Sequence, residues 1–409
     1  MIIKVPKEVE TALNILHVNS YEAYIVGGCV RDSIMGKVPS DWDVATSAKP
    51  EEILLCFNQY RTIETGIRHG TVTVIISKMQ IEITTYRIDG EYSDNRRPDD
   101  VLFTDKIEFD LKRRDFTINA LAYNKNGVID LFGGLDDIKN KIVKCVGDSD
   151  ERFNEDGLRI LRALRFASVL NFDIEKNTSY SIFRNKNLLN NISMERINIE
   201  LSKLIMGSNF QNILLEYRDV IEVFLPEIQD LTKEKLEYRL NAMKALNSLI
   251  LRLSVLLHKI DSPDKILMNL KYDNKTVKKV KLLTENIDEK IYPDQVSIKK
   301  WLNKINNVNL NYLIKIKKVM FDYEYEELTK SEKIMKEIIE TNQCYSLKTL
   351  AINGKDIIDS GVPKGKNIGI VLNKVLNKVI EGKLENNKDT LLIYIYDKRE
   401  ELLSSKKII

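Results

Sequence analysis

The sequence predicts an α+β chain, with a sheet-bearing N-terminal region followed by a remainder that is nearly all helical. Three observations carry this reading. Two runs rich in β-branched residues, Gly70-Thr71-Val72-Thr73-Val74-Ile75-Ile76 and Ile81-Glu82-Ile83-Thr84-Thr85-Tyr86, read as the strands of a hairpin. A short apolar run, Tyr24-Ile25-Val26, breaks at Gly27-Gly28 and leads through one or two helical turns to Asp41 and Asp43. From about residue 180 onward the apolar residues recur at helical spacing, as in Ile197, Leu201, Leu204 and Ile205 before a stop at Gly207.

At 409 residues, 43% hydrophobic and 30% charged, the chain is long enough for several globular domains. Its 63 basic and 60 acidic residues leave a formal net charge of +3, so bulk charge does not mark a nucleic-acid binder and local clusters must. Cys29, Cys56, Cys145 and Cys344 lie far apart with no Cys-x-x-Cys spacing, which argues against a zinc site or a disulfide framework and fits a reducing cytosol. No run of ~18 apolar residues and no apolar core behind the N-terminal charges is present, so a cytoplasmic protein without a membrane segment is expected.

Taken in order, residues 7 to 19 carry Leu13 and Leu16 at helical spacing and read as scaffold. The Gly27-Gly28 turn lets backbone N–H groups approach a phosphate, and Val30 to Met35 follows as a short helix ended by Gly36. Arg31 either faces a triphosphate or pairs with Asp32 or Asp41. Asp41 and Asp43, one residue apart, fall on one face of a strand and make a metal platform. Pro50 with Glu51 and Glu52 starts another helix. In the second strand of the hairpin Glu82 lies opposite the apolar face. It is either a third carboxylate of the platform or a solvated edge residue.

Residues Arg87 to Lys112 turn polar around Arg96-Arg97-Pro98-Asp99 and read as a long functional loop. In the run Arg113 to Tyr123 the paired arginines match phosphate oxygens, while Asp115 and Asn119 either hold a ribose hydroxyl or cap a helix. Asp130 to Gly134 reads as a turn closing the sheet, with a boundary near residue 146. A helix over Asn154 to Phe166 places Ile160, Leu161, Leu164 and Ala167 on one side and Glu155, Arg159 and Arg162 on another. Asp156 and Arg159, neighbours across one turn, combine an acceptor with a donor. They therefore match the exocyclic amine and bare ring nitrogen of cytosine and adenine and mismatch guanine and uracil. Lysines cluster at 275–281, 315–318 and 364–378. Beside Gly354, Gly361 and Gly365 they suggest turns that approach a phosphate backbone.

Three ordered motifs give the chain a resemblance to the bacterial class II CCA-adding enzymes, tRNA nucleotidyltransferases of the polymerase beta superfamily. Gly27-Gly28 to Arg31-Asp32 with Asp41-Trp42-Asp43 resembles the catalytic motif, Arg113-Arg114-Asp115 to Asn119-Ala120 the ribose motif, and Glu155-Asp156 to Arg159 the base-reading motif. The resemblance implies a polymerase-beta-like nucleotidyltransferase head with a mixed sheet (residues 1–146), then a helical neck (147–207), body (208–310) and tail (311–409). It implies that Asp41 and Asp43 hold two magnesium ions (Mg2+), with Glu82 the third acidic group. Gly28, Arg31 and Arg114 would contact the nucleotide, with Asp115 and Asn119 at the ribose. Asp156 and Arg159 would read the base, and Arg162 and Arg165 would add charge near the triphosphate. The implied activity is template-independent addition of C, C and A to the 3′ end of tRNA from CTP and ATP, releasing pyrophosphate. The tail would grip the acceptor and T-arm end, and no obligatory protein partner is evident. The stretch Arg87 to Pro98 resembles the full-length flexible loop of enzymes that add all three nucleotides. Absence of a His-Asp motif, with only His258-Lys259 present, implies no additional phosphohydrolase domain. The alternatives are an A-adding enzyme or poly(A) polymerase of the same fold and, further off, a non-catalytic RNA-binding protein.

Overall fold

The structure is a computed structural model and describes residues 3–90 and 101–403. It divides into two compact units, Met1–Thr232 with Asn269–Tyr272, and Lys233–Met268 with Asp273–Ile409.

The first unit is built on a mixed sheet. Its strands are β1 (Ala23–Val26), β2 (Asp43–Thr46), β3 (Arg61–Ile63), β4 (Thr71–Ile76) and β5 (Met79–Thr85). A separate short hairpin, β6 (Arg87–Asp89) and β7 (Val101–Phe103), precedes the last two sheet strands, β8 (Leu121–Asn124) and β9 (Gly127–Asp130). The order is β3-β4-β5-β2-β1-β8-β9, and only the β2–β5 pair is parallel. β4 and β5 form the expected hairpin. They are joined at Ser77 and Lys78, both with positive φ, as a two-residue turn matched to strand twist requires. Val72, Val74, Ile76, Ile81 and Ile83 are buried on one face. The helix α1 (Lys7–Val18) packs on β1, and α3 (Pro50–Cys56) on β4 and β5. Between them, α2 (Gly28–Ile34) packs against β1 and β8.

The polar stretch from Arg87 to Lys112, expected as a loop without internal structure, carries β6, β7 and the helix α4 (Ile107–Lys112). Its strands are only three residues each, too short for a pattern of alternation to register in sequence. Residues 91–100, with Arg96, Arg97, Pro98 and Asp99, lie outside the described residues.

Asp130 ends β9 and accepts from the backbone N–H groups of Gly134 at 2.8 Å and Leu135 at 2.9 Å, starting α5 (Gly134–Asn140). The single helix expected over 154–166 is two, α6 (Ser149–Glu155) and α7 (Leu158–Leu170). They break at Asp156, which is extended and whose carboxylate accepts from Leu158 N at 3.1 Å in the first turn of α7; Gly157 beside it packs against Leu188, where a Cβ would come within 3.0 Å of that side chain. After α8 (Lys176–Asn185), α9 (Met194–Met206) lies along α7. The expected apolar side of α7 is fully buried, and so are the α9 residues Ile197, Leu201, Leu204 and Ile205. The two helices close at Gly207, where Ser168 Oγ donates to Leu204 O at 2.7 Å.

The second unit is all helical. Its longest helix, Gln295–Met320, is interrupted at Asn306, which has a φ of 66°. Lys317, grouped in sequence with a surface cluster, is buried instead. Its Nζ donates to Ile287 O at 2.9 Å, pairs with Glu324 at 3.0 Å and sits over the Phe321 ring. A C-terminal core gathers Ile352, Ile357, Val371, Val375, Leu376, Leu391 and Ile395. No described helix is long and apolar enough to cross a membrane.

Gly207 has φ −63° and ψ 164°, open to any residue, so the cost of a side chain there is purely steric. A Cβ would lie 2.1 Å from Ser168 Oγ and 2.7 Å from Ser168 O. Gly207→Ala should therefore lower stability by about 1–3 kcal/mol in urea unfolding. Gly369→Ala, in a helix with open space around it, should lose nothing.

Candidate active site

The site begins at the turn between β1 and α2. Gly27 has φ 78° and ψ −131°, a backbone that favours glycine, and a Cβ there would meet Arg114 Nη1 at 3.0 Å. The missing side chain thus admits the Arg114 guanidinium over the turn. Arg31, on the next helical turn, is buried and held from two sides. Its Nε donates to Asp32 Oδ1 at 2.9 Å and its Nη1 to Asn119 Oδ1 at 2.5 Å. Of the two options open in sequence, the pairing with Asp32 is present, and Arg31 also lines the cavity described below. Cys29 does not offer a nucleophile: burial pushes its thiol up to about 11.

Strand β2 starts at Asp43, so Asp41 lies two residues ahead of the strand rather than on it. Alternation nevertheless holds, with Trp42 buried between the exposed Asp41 and the half-buried Asp43. β5 is a central strand, not an edge, and its parallel register places Glu82 directly beside Asp43. Burial, then the charges of Glu82 and Asp41, raise the Asp43 carboxyl to about 6, with Arg114 the opposing influence. Negative charge is therefore under-compensated here, as suits a cation site. Among the described residues no three His, Cys, Asp or Glu side chains form a ready-made metal cluster.

Opposite the carboxylates stands a wall of arginines, each set by a buried or half-buried acid. Asp110, fully buried on α4, accepts from Arg113 Nη2 at 2.7 Å and Arg114 Nη2 at 3.0 Å. Asp115 accepts from Phe116 N at 2.8 Å and Asn119 Nδ2 at 3.1 Å through one oxygen, and from Arg162 at 2.9 and 2.5 Å through the other. Burial alone would raise this carboxyl, but Arg162 and Asn119 hold it well below the usual carboxylate range. Glu200 on α9, also buried, pairs with Arg165 at 2.8 Å and more loosely with Arg162 at 3.7 Å. Three guanidiniums, those of Arg31, Arg162 and Arg165, lie over the Phe166 ring at 5.1, 5.5 and 3.6 Å. Asp156 pairs with Arg196 at 2.8 Å, and Arg159 pairs with Glu155 and donates to Arg113 O at 3.1 Å.

Between the carboxylates and the arginines lies an open cavity of about 850 Å³. Of the residues expected at the site, Gly28, Arg31, Asp41, Asp43, Arg114, Asp115, Asn119, Asp156, Arg159, Arg162 and Arg165 all line it, and Glu82 does not. Arg113, Phe166, Val169, Lys203 and Met206 line it as well. Sequence reading gave no role to Asp110, Glu200, Phe166 or Lys203. The signal for Asp110 was its position three and four residues ahead of two arginines at a helix end.

A family profile described as the Poly A polymerase head domain matches residues 23–144. A second, described as tRNA nucleotidyltransferase domain 2, matches residues 244–395. The chain is 36% identical to the CCA-adding enzyme of Ligilactobacillus salivarius over 402 residues, covering 95% of this chain and 96% of that protein. It is 33% identical to the CCA-adding enzyme of Enterococcus faecalis, covering 97% of each. Among solved structures, the Bacillus stearothermophilus CCA-adding enzyme in complex with CTP matches with a TM-score of 0.81 at 30% identity, covering 97% of this chain and 98% of that one.

The raised Asp43 carboxyl has a consequence for stability. Its unfolded value is 3.8 and its folded value about 6, so its charge costs stability fully above about pH 6 and not at all below about pH 4. Without divalent cations, Asp43→Asn should gain about 1–3 kcal/mol over the parent at pH 7.5, a gain that shrinks toward zero at pH 4. Urea unfolding at the two pH values measures it, and a pH-independent difference would contradict the assignment.

Proposed function

The chain belongs to the family of CCA-adding enzymes, and from that membership we propose a role for each side chain of the cavity. The chain is a tRNA nucleotidyltransferase that adds C, C and A to the 3′ end of tRNA from CTP and ATP without a template, releasing pyrophosphate. Asp41 and Asp43 hold Mg2+, with Glu82 as the third acid beside them. When bound, the ion supplies Lewis acidity at the attacking and leaving oxygens. Gly28, Arg31 and Arg114 bind the phosphates, with the N–H groups of the Gly27-Gly28 turn and fixed guanidiniums as donors. Asn119, held by Asp115 and bonded to Arg31, lies on the ribose side.

Asp156 and Arg159 read the base. Asp156 supplies an acceptor and Arg159 donors, a set that matches cytosine and adenine and leaves guanine or uracil with facing like groups. Glu155 and the Arg113 carbonyl orient Arg159, and Arg196 orients Asp156, so both present a fixed edge. Arg162 and Arg165 add charge along the triphosphate. We assign residues 1–146 to the catalytic head, 147–207 to the neck, 208–310 to the body and 311–409 to the tRNA-binding tail, in a cytoplasmic enzyme.

The observation that carries this reading is the meeting in one cavity of two carboxylates, a glycine phosphate turn and an acid-arginine edge. Carboxylates alone would suit many nucleotidyl transfers; the donor-acceptor edge restricts the base. Purified protein offered tRNA transcripts that end at the discriminator base should yield CC ends with CTP alone and CCA ends with CTP and ATP, read by sequencing the products. No extension with UTP or GTP is expected. Runs of A from ATP alone would overturn the reading.

A further inference from the structure

Every arginine lining the cavity already has an acid partner: Arg31 has Asp32, Arg113 and Arg114 have Asp110, Arg159 has Glu155, Arg162 has Asp115 and Arg165 has Glu200. Lys203 does not. Among the described residues it is the lining cation with no ion pair or hydrogen bond, and it is exposed to the cavity mouth from the last turn of α9. A fixed, neutralised guanidinium orients a ligand; an unpaired ammonium on a flexible stem adds net charge and can follow a group that moves.

The placement of Lys203 says which group that is. α7 and α9 run side by side in the same direction, linked from Arg196–Asp156 through Glu200–Arg165 to Leu204–Ser168. The lining residues of α7 therefore run from Arg159 to Val169, ten residues or about 15 Å of helix, with Lys203 at the Val169 end. Under the reading above, the base lies at the Asp156–Arg159 end. The phosphates run from the Gly28 turn past Arg31, whose guanidinium lies over Phe166. The terminal phosphates then extend toward the Lys203 end of the cavity.

We propose that Lys203 binds the β- and γ-phosphates as they leave, forming a product subsite for pyrophosphate. In the reaction the RNA 3′-oxygen forms a bond to the α-phosphorus and its proton passes to solvent. The bond from that phosphorus to the α–β bridging oxygen breaks, and the electron pair leaves on pyrophosphate. Charge on the departing group rises at this moment, where the arginines are already committed to their acids and Lys203 is not. This inference rests on the CCA-adding reading and refines it.

The test compares parent, Lys203→Gln and Lys203→Arg for product inhibition by inorganic pyrophosphate during C addition to tRNA. The KM for tRNA is measured alongside, and folding is checked by circular dichroism. Loss of one charge-assisted contact should weaken pyrophosphate inhibition about tenfold in Lys203→Gln. The KM for tRNA should stay at the parent's, and Lys203→Arg should recover most of the inhibition. Unchanged pyrophosphate inhibition in Lys203→Gln overturns the proposal. So does a raised KM for tRNA with unchanged inhibition, which would put the lysine on the RNA backbone. Failure of the parent itself to add C and A would instead overturn the functional reading.

Discussion

The ion pair between Asp115 and Arg162 joins the sheet-bearing part of the first unit to the helix that carries the rest of the site. One Asp115 oxygen accepts from a backbone N–H and from Asn119, the other from two nitrogens of Arg162. Burying a carboxylate is costly unless its lone pairs are met, and here all four contacts to Asp115 are made, while the half-buried Arg162 keeps part of its guanidinium open to the cavity. The pair sets the register of α7 against the segment after α4. Through that register it sets where Arg159 meets the Arg113 carbonyl and where Phe166 meets Phe116, edge to face at 5.7 Å.

The same logic repeats along the cavity. Asp110 and Glu200 are buried acids that give two arginines each a fixed direction, so the guanidinium forks along the cavity are already oriented. Asp41, Asp43 and Glu82 are arranged in the opposite sense. There burial first, and then the neighbouring acids Glu82 and Asp41, raise the proton affinity of Asp43, a charge imbalance that a bound cation would relieve. Satisfied charges thus fix directions along the cavity, while the under-compensated ones are those to which the proposed chemistry is assigned, the division expected where function is held at some cost to stability.

Much of this was legible in the sequence because it is local. Alternation over 70–86 gave the hairpin, Gly27-Gly28 and Asp41-Trp42-Asp43 gave the turn and the carboxylates, and helical spacing gave α9 up to Gly207. What was not legible depends on residues distant in the chain. The parallel pairing that puts Glu82 beside Asp43 joins strands about forty positions apart, and nothing in β5 alone distinguishes a central from an edge strand. The break at Asp156 comes where that side chain pairs with Arg196 forty residues on, the close fit of Gly157 depends on Leu188, and the burial of Lys317 on Ile287 and Glu324. Glu200 meets Arg165 across 35 residues, so its part in the arginine wall depends on how α9 lies on α7. The middle of the polar stretch after Asp89, at residues 91–100, lies outside the described residues.

The claim that buried acids hold the arginine wall in a nucleotide-ready geometry is tested most directly by a double-mutant cycle on Asp115→Asn and Arg162→Met, read as kcat/KM for CTP. If the pair works as one unit, either single change should cost nearly as much as both together, a coupling of about 2–3 kcal/mol. Additive losses would mean that the two residues act separately and that α7 is positioned by packing alone.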